Sequence, residues 1–110
     1  MIEGLIAGKL AGLPEARKGK GDSPFVVARV RAHSAEGEAV WVNVIAFDAG
    51  VCAALLELQE GDAVALSGSV SPRVWSDKQG NTRPALDLVA QRLVALPTAP
   101  ESLTGAGAVR

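Results

Sequence analysis

Residues 39–47, Ala-Val-Trp-Val-Asn-Val-Ile-Ala-Phe, alternate with a clean two-residue period, the signature of a β-strand. Val40, Val42, Val44 and Ala46 make a wholly aliphatic face suited to a core, while Trp41, Asn43, Ile45 and Phe47 share the other face. Residues 24–33 repeat the pattern, with Val26, Ala28 and Val30 opposed to Phe25, Val27, Arg29 and Arg31. If the two segments pair as a hairpin, one sheet surface presents Arg29, Arg31, Trp41, Asn43 and Phe47 together. The core face leaves no room for Trp41, so its ring belongs to a binding surface or a subunit interface.

The remaining segments fall around this pair. Residues 2–13 carry glycine at every fourth position of an apolar run, which disfavours a helix and fits a bent strand. Leu13-Pro14-Glu15 ends that strand, and residues 17–22 read as a basic, glycine-containing loop. Asp48 is placed to cap a helix over residues 49–58, whose stripe is Val51, Leu55 and Leu58. Val64, Leu66, Gly68 and Val70 alternate in a fourth strand, and residues 84–95 form a fifth with Leu86, Leu88 and Ala90 inward. From 97 to 110 the Pro, Ala, Gly, Ser and Thr composition reads as a flexible tail, leaving one domain over residues 1–96. Three strands, one helix and two strands suit an all-β, five-stranded Greek-key barrel with the helix between strands three and four, the OB-fold.

Between strands four and five lies the polar stretch 70–83, read as a strand running into a long hairpin. Trp75 is set among Arg73, Lys78 and Arg83, and Gly80-Asn81 supplies the residues that tolerate positive φ at the tip. A polar hairpin cannot bury such a ring within one protomer, so Trp75 is expected to be exposed. An aromatic flanked by cations on a protruding arm suits stacking on an unpaired base while the cations hold phosphates.

The net charge of −1 offers no global attraction for nucleic acid, yet the charges are unevenly spread. Residues 17–31 carry Arg17, Lys18, Lys20, Arg29 and Arg31 against Asp22 alone, whereas 48–62 carry four acids and no base. A hydrophobic fraction of 48% with four aromatics means a core of Val, Leu, Ile and Ala, and favours oligomerisation. One cysteine, no signal peptide and no apolar run near the ~18 residues of a membrane span point to a cytoplasmic protein without membrane partners.

Catalysis finds no footing. His33 has no acidic neighbour in sequence, Cys52 lies in the apolar part of the helix, and Glu57, Glu60 and Asp62 fit a solvated turn. There is no zinc spacing and no phosphate-binding G-x-x-x-x-G-K loop, so neither an enzyme nor a cofactor is expected.

These residues, taken in order, resemble the bacterial single-stranded DNA-binding protein family over about residues 1–96. Gly8-Lys9-Leu10 with Pro14-Glu15 and Arg17 resembles its first strand. Trp41 followed by Phe47, Glu60-Gly61-Asp62 with Val64 and Gly68, and Arg73-x-Trp75-x-Asp77-x-x-Gly80 resemble its later strands and hairpin. The resemblance implies an OB-fold dimer or tetramer that wraps unpaired DNA without strong sequence preference. Trp41, Phe47 and Trp75 would then stack on bases, a mechanism known from this family's OB-folds and carried over with the resemblance. Arg73, with Lys9, Arg17 and Lys78, would neutralise phosphates.

The chain also departs from the family. The hairpin between strands two and three shrinks to Ser34-Ala35-Glu36-Gly37-Glu38 and is acidic. Asn43, Val74 and Ser71 stand where basic residues are usual, and the acidic tail that recruits replication and repair partners is replaced by Gly107-Ala108-Val109-Arg110. Weaker DNA binding with a shallower salt slope is therefore expected, with Arg29 and Arg31 as compensation. The expected setting is an accessory role in replication, recombination or repair, with replication or recombination proteins as further partners. A second reading is a protein-interaction module like primosomal replication protein N, a relative without the acidic tail.

Overall fold

The computed structural model describes residues 2–33 and 35–95, and the expected tail at 97–110 lies outside them. Its strands are β1 (Ile2–Leu10), β2 (Glu15–Lys18), β3 (Pro24–His33), β4 (Ala39–Ala46), β5 (Ala63–Ser76) and β6 (Thr82–Ala95). The helix α1 (Ala49–Leu56) lies between β4 and β5. The sheet order β1-β5-β6-β4-β3-β2 closes on itself because β1 also pairs with β3 through Lys9↔Arg31 and Leu10↔Val30.

Residues 15–18 correct the sequence reading. They form a strand that takes in Arg17 and Lys18 of the expected 17–22 loop, pairing with β3 from Glu15↔Val27 to Lys18↔Pro24. β1 and β2 run along the same edge of β3, so they are two halves of one strand bent at Gly12, whose φ is +78°. The barrel thus has five strand positions, with β4 and β6 parallel and the other pairs antiparallel, which is the OB-fold. Closure demands glycine at two crossings. A Cβ on Gly8 would meet the Arg31 carbonyl oxygen at 2.5 Å, and one on Gly68, opposite the bulge that Gln91 makes in β6, would meet that of Val89 at 2.0 Å.

The alternating residues behave as their period requires. Val26, Val30, Val42, Val44, Leu66 and Leu88 fill the barrel with Leu10, Val64 and Ala90. Among the described residues the buried set includes no polar or charged side chain. Asp48 caps α1 by accepting the Val51 N–H at 3.0 Å, and the helix packs Val51 and Leu55 into the core against β3 and β6. Cys52 packs against the same cluster, its thiol donating to the Ala46 carbonyl oxygen at 3.2 Å.

Strands β5 and β6 continue past the barrel as a paired arm, still in register at Ser76↔Thr82. The loop of the expected hairpin is therefore only residues 77–81, and Trp75 stands on a strand opposite Arg83. Asp77 holds the tip: its carboxylate accepts the Gln79 and Asn81 amides at 2.9 Å each, while its own N–H donates to the Asn81 carbonyl. Gly80 takes the positive φ, +85°, that this turn requires.

Candidate nucleic-acid interface

Directly paired residues in a sheet point to one face, so the registers arrange the outer surface in rows across four strands. One row runs Arg31, Trp41, Ala85, Arg73, extended by Lys9 from β1. The next runs Arg29, Asn43, Asp87, Ser71, and a third runs Val27, Ile45, Val89, Ser69. Residues far apart in the chain become neighbours because β4 and β6 are parallel at the centre of this surface.

A groove opens where the first two rows meet the arm, lined by Arg29, Trp41, Asn43, Arg73, Trp75 and Ala85. Its floor is Ala85, only 3% exposed yet outside the barrel core, because the larger groove side chains cover it. A methyl group between Trp41 and Arg73 leaves the depression that a bulkier residue would fill. Trp75 is 39% exposed, as expected, and Trp41 is half-buried. The Arg29 guanidinium, diagonal to Trp41, lies over its ring with Cζ 4.7 Å from the centroid. A larger concavity shares Arg29 and Asn43 with the groove and extends it past Asp87, Val27 and Ile45 to Leu13, Glu15 and Arg17.

Beyond that end, Phe47 is 59% exposed and meets Phe25 with centroids 6.0 Å apart, their planes tilted by 45°. The surface therefore has two aromatic stations, Trp41 with Trp75 and Phe25 with Phe47. Six residues of near-extended chain, ~20 Å, separate Trp41 from Phe47. On the opposite flank of Trp41, Lys9, Arg31 and His33 line another depression with Glu60.

Several expected contacts are altered by intrachain partners. Arg73 Nε lies 2.8 Å from Asp87 Oδ2, and Asn43 Nδ2 donates to Asp87 Oδ1 at 3.2 Å. Arg17 Nη2 is 2.7 Å from Glu15 Oε1. Lys78 stands at the hairpin tip, outside the residues that line the groove. The sequence reading missed Asp87, Ala85 and the role of Phe25 as partner of Phe47. Phe25 had a usable signal, since it alternates with Arg29 and Arg31. Asp87 had none, because its partner Asn43 is 44 residues away.

The one resolved shift in acidity on this surface belongs to Asp77. The Asn81 amide is the main cause that lowers its pKa; desolvation opposes it, and the Gln79 amide, Asn81 side chain and Arg83 charge add to it.

A family model described as the single-strand binding protein family matches residues 1–96. Among solved structures, a small single-stranded DNA-binding protein from Streptomyces coelicolor has TM-score 0.67 and 22% identity over 86% of this chain and 93% of that one. A Plasmodium falciparum SSB in complex with ssDNA has TM-score 0.61 and 14% identity over 88% and 96% of the two chains. The mitochondrial single-stranded DNA-binding protein Rim1 from S. cerevisiae has TM-score 0.61 and 18% identity over 86% and 94%. At these identities the structural likeness shows the shared fold. Comparison with curated proteins returns no match.

Proposed function

Because the chain belongs to the single-strand binding protein family, we propose that it binds single-stranded DNA along the outer groove of β3, β4, β5 and β6 without strong sequence preference. The observation that carries this reading is the convergence of two tryptophans and two arginines from three strands on one depression floored by Ala85. Every base has a π-face, so rings at Trp41, Trp75 and Phe47 accept any sequence, while guanidinium groups meet the phosphates. Arg29, Arg31, Arg73 and Lys9 supply the cations closest to Trp41, and Arg17 serves the Phe25–Phe47 end. Asn43 acts through Asp87, and Lys78 meets the strand only where it passes the hairpin tip.

Titration of intrinsic tryptophan fluorescence with an unstructured oligothymidine tests the reading. Stacking on Trp41 and Trp75 quenches the signal; no quenching at low salt and high protein concentration would sink it and favour a protein-docking role for this face.

The same reading includes self-association as a dimer or tetramer. Among the described residues, β1 pairs along Ile2–Gly8 on one edge only, with β5, and Leu5 on that strand is 73% exposed. An unpaired edge with an apolar side chain is a template for another strand. An accessory place in replication, recombination or repair follows from the family and from the reduced basic charge of the arm.

A further inference from the structure

Three arginines of the channel already hold partners within the chain. Arg17 pairs with Glu15, Arg29 covers Trp41, and Arg73 pairs with Asp87. Asp87 is the acid placed at the middle of the surface, one row from Trp41 and directly opposite Asn43. A carboxylate offers a guanidinium the same kind of charged oxygens that a phosphate does. Asp87 therefore occupies the place on Arg73 that a DNA phosphate would take. The pair is open to exchange, since the Arg73 side chain is 60% exposed and that of Asp87 39%.

We propose that Asp87 is an affinity-setting residue, whose carboxylate competes with DNA phosphates for Arg73. The proposal rests on the reading of the groove as the single-strand site. Binding there exchanges an internal ion pair for an external one, so the arginine contributes less than its charge suggests. A phosphate that Arg73 does not fully neutralise also retains its counterion, which flattens the salt dependence. The Asn43 hydrogen bond fixes the carboxylate in the competing position, which makes Asn43 a positioning residue for Asp87.

The test is the affinity of the full chain and of Asp87→Asn for oligothymidine, measured by fluorescence across a range of salt. Asp87→Asn keeps the shape and removes the charge from an outward-facing side chain; Asp87→Ser is the second variant, with the same expected direction. Each should bind about two- to fivefold tighter near ~0.1 M salt, the factor that an exposed ion pair is worth. The plot of log affinity against log salt should steepen by about 0.7, one additional phosphate. In an Arg73→Ala background the same substitutions should give no gain. Unchanged affinity and slope in Asp87→Asn would overturn the proposal while leaving the groove reading intact. So would a gain that persists without Arg73, since that is a general effect of charge. Failure of wild type and variants alike to quench would instead overturn the groove reading, and the proposal with it.

Discussion

Trp75 and Trp41 present their rings under different conditions. Arg29 already covers Trp41, whereas Trp75 stands on the arm, with Arg73 two residues away on the same face. Trp75→Ala should therefore weaken oligothymidine binding by ~1–3 kcal/mol per stacked base lost, a magnitude carried over from single-strand-binding OB-folds. An unchanged affinity would assign Trp75 to packing or to an interface. Ala85 makes a complementary prediction, because its methyl group is the floor between Trp41 and Arg73. Ala85→Leu should fill the depression and weaken binding in the same titration while circular dichroism still reports the barrel. At this scale the alternation of 39–47 and the cations around Trp75 were readable, since they depend on local period and composition. The acid between them was not, because Asp87 meets Arg73 and Asn43 only through register.

The arm depends on its tip as an element. The amide of Asn81, helped by that of Gln79, holds Asp77 below its usual carboxylate pKa, so the carboxylate favours the folded turn above the unfolded value. That contribution is complete above about pH 4–5 and is lost as pH falls through the lower folded value. Amide exchange at Gln79 and Asn81, corrected for its intrinsic pH dependence, should show constant protection down to that range and reduced protection below it. Strand closure makes a second prediction, since a Cβ at Gly68 has 2.0 Å to the Val89 carbonyl oxygen. Gly68→Ala should cost on the order of 1–3 kcal/mol in denaturant unfolding, as overpacked sites do. Gly12→Ala meets no atom within 4 Å and should cost less, from its positive φ alone. The sequence marked Gly12 as one of the glycines that disfavour a helix in residues 2–13, and Gly68 as a member of an alternating strand. It did not distinguish a crossing of two backbones from a turn, and it missed β2, because residues 15–18 are all exposed and carry no apolar alternation.

For the whole molecule, the open edge of β1 and the internal ion pairs of the channel set the expectations. Leu5→Glu should reduce self-association, read as a lower mass by light scattering, if β1 is the associating edge; an unchanged mass would place the interface elsewhere. The local period of two, the capping aspartate and the order of elements were enough to determine an OB-fold barrel and the strands that bear its aromatic residues. Those features are encoded within a few residues of chain, where hydrophobic alternation and helix capping act. Tertiary structure alone decided which side chains face one another across the parallel β4–β6 pair. It joined Asp87 to Arg73 and Asn43, placed Ala85 beneath Trp41, and paired Phe25 with Phe47. Register fixes such contacts through backbone hydrogen bonds between segments up to 44 residues apart, a distance over which no sequence period carries information.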